Sequence, residues 1–228
     1  MPLILCIETA TKLCSVALTR NGELLAHRDQ ESEQLVHAEK VNLFIDAVMK
    51  DAGLSLKALD AVAIGIGPGS YTGSRIGLSA AKGLCYALGI PIIGISTLRT
   101  LHDAVRTQHP HDPTDAWPMI DARRMEVFAQ RFDQHGKETS VPAPLVLDHA
   151  WVSAHAPVAV FGDGADKAEA LWAHEGITHI PGVRPFAAAM LHEAERRFTQ
   201  LAFDDVAYLV PTYGKAANVS QPKKKPVG

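Results

Sequence analysis

This sequence has few cysteines, no long apolar run and no excess of basic charge, and each shortage excludes something. Cys6, Cys14 and Cys85 are the three cysteines in 228 residues, too few and in too apolar a setting for a disulfide framework. They read as small hydrophobes in strands and a helix of a reduced, cytoplasmic chain. Cys6 and Cys14 do not have the spacing of a zinc knuckle. No apolar run reaches membrane-spanning length, so no membrane association is expected. The apolar residues 3–7 are too short for a signal-peptide core, end at Glu8 and follow no basic segment. Lys and Arg number 22 against 25 Asp and Glu, for a net charge of −3. That balance argues against a chain that binds nucleic acid unaided, while leaving a basic patch or an RNA-bound partner open.

What is there suits a soluble globular protein with a sizeable core, with 47% hydrophobic and 21% charged residues. Residues 3–7 predict a buried strand. Strands at 15–19 and 23–27 flank Arg20-Asn21-Gly22, and Asn-Gly is the strongest short signal for a hairpin. Ser32 caps a predicted helix over 33–52 that closes at Gly53, with Val41, Phe44, Ile45, Val48 and Ala52 as its core stripe. A buried strand at 61–66, a helix over 72–88 stopped by Gly89 and Pro91, a strand at 91–95 and a helix at 97–105 follow. The order βββ-αβαβα implies a parallel centre with an antiparallel edge, the layout of a ribonuclease-H-like or actin-like half.

"QHPHDPTD" then reads as a linker, in which His109 and His111 are solvated loop residues rather than metal ligands. Beyond it the pattern restarts. Residues 118–121 echo 3–8, a strand and turn span 126–136, and a strand at 158–161 leads through Gly162-Asp163-Gly164 into a helix over 165–175. An amphipathic helix at 185–200 and a last strand at 207–210 complete a degenerate repeat. The expected organisation is an α/β, actin-like fold of two related subdomains, 1–107 and a smaller 117–217, joined by a linker over 108–116. A basic tail over 218–228, with Lys223 to Lys225 between prolines, is expected to be disordered.

The stretch "GIGPGSYTGSRIG", residues 65–77, raises the question of a phosphate loop. A P-loop requires Gly-Lys-Ser/Thr at its end, but Gly73 is followed by Ser74 and Arg75. The dinucleotide fingerprint fails too, because Gly65-x-Gly67 runs into Ser70 and Gly67-x-Gly69 into Thr72. Ser70 and Thr72 can cap the helix amides themselves. Gly73, Gly77, Ala81 and Cys85 fall every four residues along one stripe, opposite a stripe of Ile76, Ala80, Leu84 and Leu88 expected to serve the core. The small stripe therefore predicts close packing against a neighbouring helix, of this chain or of another.

Catalytic templates are each incomplete. Actin-like ATPases place Asp-x-Gly-Thr at the first hairpin, where this chain has Glu8-Thr9-Ala10-Thr11. A two-metal nuclease would find Glu8 and Glu39 but no third carboxylate on the next strand. A zinc hydrolase needs a second histidine one turn after His37, and there is none at 41; a lone helical histidine reads as a polar surface residue. No Gly-x-Ser-x-Gly elbow occurs. An enzyme's layout without a complete site suggests a partner subunit. The alternative is an actin-like, ATP-binding enzyme acting alone, with Gly162-Asp163-Gly164 as its second turn.

Residues 4–18, "ILCIETATKLCSVAL", residues 36–98 and the segment "MIDARRMEVFAQRF" at 119–132 closely resemble the bacterial TsaB family, also called YeaZ. "VPTYGKAAN" at 210–218 looks like that family's closing Pro-x-Tyr segment. The likeness covers the first 132 residues and is weak from 133 to 205. Its most specific piece is residues 67–77. Glu8, Tyr71 and Gly214-Lys215 depart from the Asp, Phe and Leu-Arg common there. The resemblance implies an actin-like fold and a non-catalytic accessory role in making N6-threonylcarbamoyladenosine (t6A) on tRNAs that read ANN codons. It implies pairing with the catalytic paralogue TsaD, joining by the ATPase TsaE, a homodimer when TsaD is absent, and contact with tRNA only through the complex. No catalytic, cofactor-binding or metal residue of its own is implied, nor the peptidase activity once ascribed to the family; ATP or ADP at the complex interface stays open. Family members pair through the first two helices, which makes His37, Val41, Gly73, Gly77 and Ala81 the candidate partner contacts.

Overall fold

The computed structural model describes residues 2–32, 37–109, 115–155, 158–173 and 176–214. Strand β1 (Leu3–Glu8) is buried along its whole length, as expected of a central strand. It pairs antiparallel with β2 (Leu13–Arg20), and β2 with β3 (Glu23–Glu31). The predicted hairpin turn forms, with Asn21 and Gly22 both left-handed at φ 55° and 75°. That conformation matches the twist of the strands and is open chiefly to Asn and Gly. Helix α1 (His37–Asp51) buries Val41, Ile45 and Val48; the start predicted at residue 33 lies outside the described residues. Strand β4 (Ala61–Gly65), helix α2 (Tyr71–Leu88), strand β5 (Ile92–Ile95) and helix α3 (Thr97–Gln108) follow as predicted. Ser70 caps α2 by accepting the Gly73 N–H, and Gly89 closes it in the left-handed conformation. The sheet order is β3-β2-β1-β4-β5, with β1, β4 and β5 parallel.

The second lobe repeats this order. Strand β6 (Ala116–Asp121) pairs antiparallel with β7 (Glu126–Ala129), and β7 with β8 (Ala143–Val146). After helix α4 (His149–His155) come strand β9 (Val158–Phe161), the short helix α5 (Asp163–Asp166) and strand β10 (Ile177–Ile180). The order β10-β9-β6-β7-β8 is that of the first sheet read from its other end. Strands β8 and β10 and helix α4 were not foreseen, because four-residue strands and a two-turn helix carry too little periodicity. The helix predicted over 165–175 shrinks to α5 and a 3₁₀ turn at Glu169–Leu171. Trp172 explains this: its indole N–H donates to the Ala165 carbonyl at 2.8 Å, the acceptor that a continuing α-helix would give to residue 169.

The second correction concerns residues 187–214, which return to the first lobe. A 3₁₀ turn (Ala187–Met190) leads into helix α6 (Leu191–Thr199), as the amphipathic pattern predicted. Leu3, Leu5 and Ile7 of β1 face α1 and α2, while Ile4 and Cys6 face Ala187, Met190 and Ala194. The boundaries expected from sequence put this cover in the wrong lobe. Instead of the strand predicted over 207–210 there is a turn, because the Asp205 carboxylate accepts the amides of Ala207 and Tyr208. Ahead of it, the open edge of β5 is closed by a backbone bridge, the Asp204 amide donating to the Ile92 carbonyl at 3.0 Å, and by side chains. Asp204 accepts the Gly94 N–H at 2.7 Å, and Arg197 binds both the Gly94 carbonyl and, at 3.1 Å, Asp204. An unpaired strand edge is an association hazard, and this ion pair occupies it.

Helix α3 runs to Gln108 and β6 starts at Ala116, so the expected linker over 108–116 overlaps both; residues 110–114, His111 among them, and 215–228, with the basic tail, lie outside the described residues. His109 is exposed. The three cysteines are free and buried. Among the described residues no helix is long and apolar enough to cross a membrane.

Candidate functional site

The end of β1 meets the glycine-rich turn between β4 and α2. Glu8 lies at that meeting point and is fully buried. One carboxylate oxygen accepts the Ala10 N–H at 2.8 Å, and the other accepts the Thr97 hydroxyl at 3.2 Å. Thr97 Oγ1 in turn accepts the Gly67 N–H at 3.1 Å. A Cβ on Gly65 would stand 2.2 Å from Glu8 Oε2, so glycine there leaves the space the carboxylate occupies. Burial pushes the Glu8 carboxyl up to about 7, against the pull of its hydrogen bonds. The turn's own amides are also engaged: Ser70 donates to the Ala10 carbonyl at 2.6 Å, and Gly73 to Ser70 Oγ at 3.1 Å. Glu39, the other carboxylate of the nuclease reading, is exposed on α1 and does not approach Glu8 in its buried site. Among the described residues no three His, Cys, Asp or Glu side chains converge so as to hold a metal ion.

Of the five residues expected at a partner surface, His37, Gly73, Gly77 and Ala81 pack inside this chain. Gly73 and Gly77 pack against its own first hairpin: a Cβ on Gly73 would meet the Thr9 carbonyl at 2.1 Å, and one on Gly77 would meet Thr9 Oγ1 at 2.2 Å. Ala81 is in the core below them. His37 is buried rather than a polar surface residue. Its Nε2 lies 2.8 Å from the Thr11 carbonyl, which requires the proton on that nitrogen, and Nδ1 has no partner. Burial lowers its pKa. Val41 is buried as well, but it borders the outer groove. The small stripe faces inward because it lets α2 approach the backbone of the β1–β2 loop. The stripe assigned to the core, Ile76, Ala80, Leu84 and Leu88, is only half-buried beside α1.

The outward side of the two helices is an open groove of about 470 Å³ lined by Ala38, Asn42, Arg75, Ile76, Ser79 and Ala80. Gly83 continues this ridge; it is exposed, and a Cβ placed on it meets nothing within 4 Å. At the head of the ridge Arg75 lies 4.0 Å over the Tyr71 ring and donates Nε–H to the Tyr213 hydroxyl at 2.8 Å. The glycine-rich segment and the closing Pro-x-Tyr segment, 138 residues apart, thus meet in space. The spacing of Tyr71 and Arg75, one helical turn, was the available signal for that contact; nothing local pointed to Tyr213.

Between the lobes lies a crevice of about 270 Å³. Thr11 and Lys12 line it from the first lobe, and Asp121, Asp163, Asp166 and Lys167 from the second. Its charges are largely paired. Arg184 spans the lobes, binding Glu31 at 3.2 Å and Asp166 at 2.7 Å. Lys167 is paired with Asp121. Asp163 accepts the Asp121 N–H at 2.9 Å. Burial, aided by the Asp121 charge, raises the Asp163 pKa. Arg184 and Lys167 escaped the sequence reading, since their partners are remote in the chain.

A profile of the family described as "TsaD: tRNA N6-adenosine threonylcarbamoyltransferase" matches residues 31–154. The chain is 37% identical over 142 residues to the tRNA threonylcarbamoyladenosine biosynthesis protein TsaB of Escherichia coli, covering 60% of each protein. It is 38% identical over 125 residues to the protein of that name in Haemophilus influenzae, covering 55% of this chain and 51% of that one. The aligned parts thus span between half and three-fifths of the length of these relatives. Among solved structures, YeaZ from Pseudomonas aeruginosa superimposes with a TM-score of 0.78 at 25% identity, covering 93% of this chain and all of that one.

Proposed function

The chain belongs to the TsaD family of tRNA N6-adenosine threonylcarbamoyltransferases, and from that premise we propose that it serves t6A synthesis as an accessory subunit rather than as the transferase. The single observation that supports the reading is the self-satisfied end of β1: the fully buried Glu8 carboxylate accepts from Ala10 and Thr97, and the Ser70 amide of the glycine-rich turn donates to the Ala10 carbonyl, so these groups are already engaged within the chain. A chain without a complete site of its own contributes a surface. The surface is the groove between α1 and α2, and its occupant is the equivalent helix pair of a TsaD-like paralogue. Gly83 supports this, because glycine inside a helix costs about 1 kcal/mol against Ala and no contact within the chain calls for it. Close approach of a second helix would. TsaE joins this pair, tRNA is met through the complex, and any ATP or ADP is held at the shared interface rather than in this chain alone. Without the paralogue the same face makes a homodimer.

Size-exclusion chromatography of the chain mixed with a TsaD-like paralogue tests this. The wild type forms a stable pair; Gly83→Leu loses it by at least tenfold in affinity, while its circular dichroism and melting are those of a folded chain. Equal affinity in Gly83→Leu would move the interface elsewhere. Turnover of Mg-ATP by the purified chain without any partner would overturn the accessory role.

A further inference from the structure

We propose that the hairpin tip at Arg123 and Arg124 is an RNA-backbone contact of this chain, a reading that rests on its role in tRNA modification. Among the described residues only Asn21, Arg123, Arg124 and Leu201 adopt positive φ without being glycine, and Arg123 and Arg124 do so consecutively, at 72° and 51°. The turn is closed by the Ala122 amide on the Glu126 carbonyl and the Glu126 amide on the Arg123 carbonyl, both at 3.1 Å. Left-handed backbone favours Gly, Asn or Asp, and the hairpin at Asn21-Gly22 uses such residues. Two arginines in that conformation are a strained choice, and strain of this kind collects at functional positions.

The local charge supports an anionic ligand. Both side chains are exposed, and the Arg124 guanidinium has no hydrogen-bond or ion-pair partner among the described residues. Of the hairpin's carboxylates, Asp121 is engaged by Lys167 and by the Arg123 N–H at 2.7 Å, and Glu126 has a partner as well. Lys167 and Arg184 line the crevice that Asp121 enters, where Lys167 pairs with Asp121 and Arg184 with Asp166 and Glu31. A chain of net charge −3 repels a polyanion overall, which concentrates any contact at such a spot. Guanidinium forks match phosphate oxygens two at a time, and a narrow tip reaches a curved backbone better than it covers a flat protein face.

Fluorescence anisotropy of labelled total tRNA decides the matter, with the chain alone and with its TsaD-like partner, across about 50 to 200 mM salt. In Arg123→Gly/Arg124→Gly the strain is relieved, so the melting temperature stays level or rises and pairing is unchanged. The tRNA affinity falls by about tenfold at ~100 mM salt, and the salt slope drops by about one to two units. Arg123→Lys/Arg124→Lys keeps the slope and loses part of the affinity. Binding of the glycine variant within twofold of wild type overturns the proposal. So does loss of pairing with tRNA binding by the chain alone intact, which would make the tip a protein contact. Failure of the wild type to pair at all strikes the accessory role and leaves the titration of the chain alone to judge the tip.

Discussion

The two lobes share one strand order but differ in their helices. The first lays α1 and α2, of 15 and 18 residues, across one face of its sheet; the second has α4 and α5, of 7 and 4 residues, in the corresponding connections. Topology alone therefore does not decide what each lobe can offer. Helices of four or five turns cover their sheet and still present an outward groove, whereas the second lobe fills its core with Trp117, Trp151 and Trp172. Both lobes do keep one device. Glycines bring the helix start onto the end of the central strand, Gly73 against Thr9 and Gly164 against Met119 and Ile120. The carboxylates that end these strands diverge: Glu8 is buried in a closed site, while Asp121 is exposed and paired with Lys167.

The largest effect expected from breaking this correspondence is at Gly73. Gly73→Leu drives a side chain into the Thr9 carbonyl, 2.1 Å from the first added atom, and destabilises the fold by more than about 3 kcal/mol. Gly164→Ala, where the nearest backbone atoms stand at 2.9 Å, costs less. Urea denaturation of both variants ranks the two contacts; the opposite order would sink the equivalence.

Next is the pH response of the two strand-end carboxylates. Because the folded Glu8 pKa is raised from 4.5 to about 7, the native state binds the proton more tightly than the unfolded chain. Stability from this group is present below pH 4.5 and is lost as pH rises to about 7, at about 1.4 kcal/mol per unit, or about 3 kcal/mol in all. Glu8→Gln removes that decline, and Asp121→Asn leaves it in place, as read by denaturant midpoints at pH 5 and pH 8. A Glu8→Gln chain with the wild-type pH profile would exclude the buried acid as its source.

The smallest effect distinguishes the helices. Gly83→Ala raises the stability of the isolated chain by about 0.5–1 kcal/mol, since nothing stands where the new methyl goes. The second lobe has no counterpart, because α5 ends at Asp166. A loss of stability in Gly83→Ala would mean that the ridge is less open than its geometry indicates.

Much of the fold was legible because its signals are local. Buried strands at β1, β4 and β5, the Asn21-Gly22 turn, and the Ser70 and Gly89 caps each follow from a few adjacent residues. The repeat was visible for the same reason, as strand, glycine turn and helix recurring along the chain. The candidate site was legible in composition and not in direction. Gly73, Gly77 and Ala81 were recognised as a stripe for close packing, but the period of a helix says which residues share a face and not what that face meets. The Thr9 loop, not a partner, meets it.

By itself, then, the sequence determined the alternation of strands and helices, the failure of the phosphate templates and the presence of a closely packed helix face, because these depend on spacing within a few turns of chain. Tertiary structure alone decided that the face is internal, that Glu8 closes the turn it was compared with, that Tyr213 returns to Arg75 and that residues 187–214 cover the first sheet. Those outcomes depend on which distant segments exclude water from one another, and contact across a hundred residues leaves no mark in local spacing.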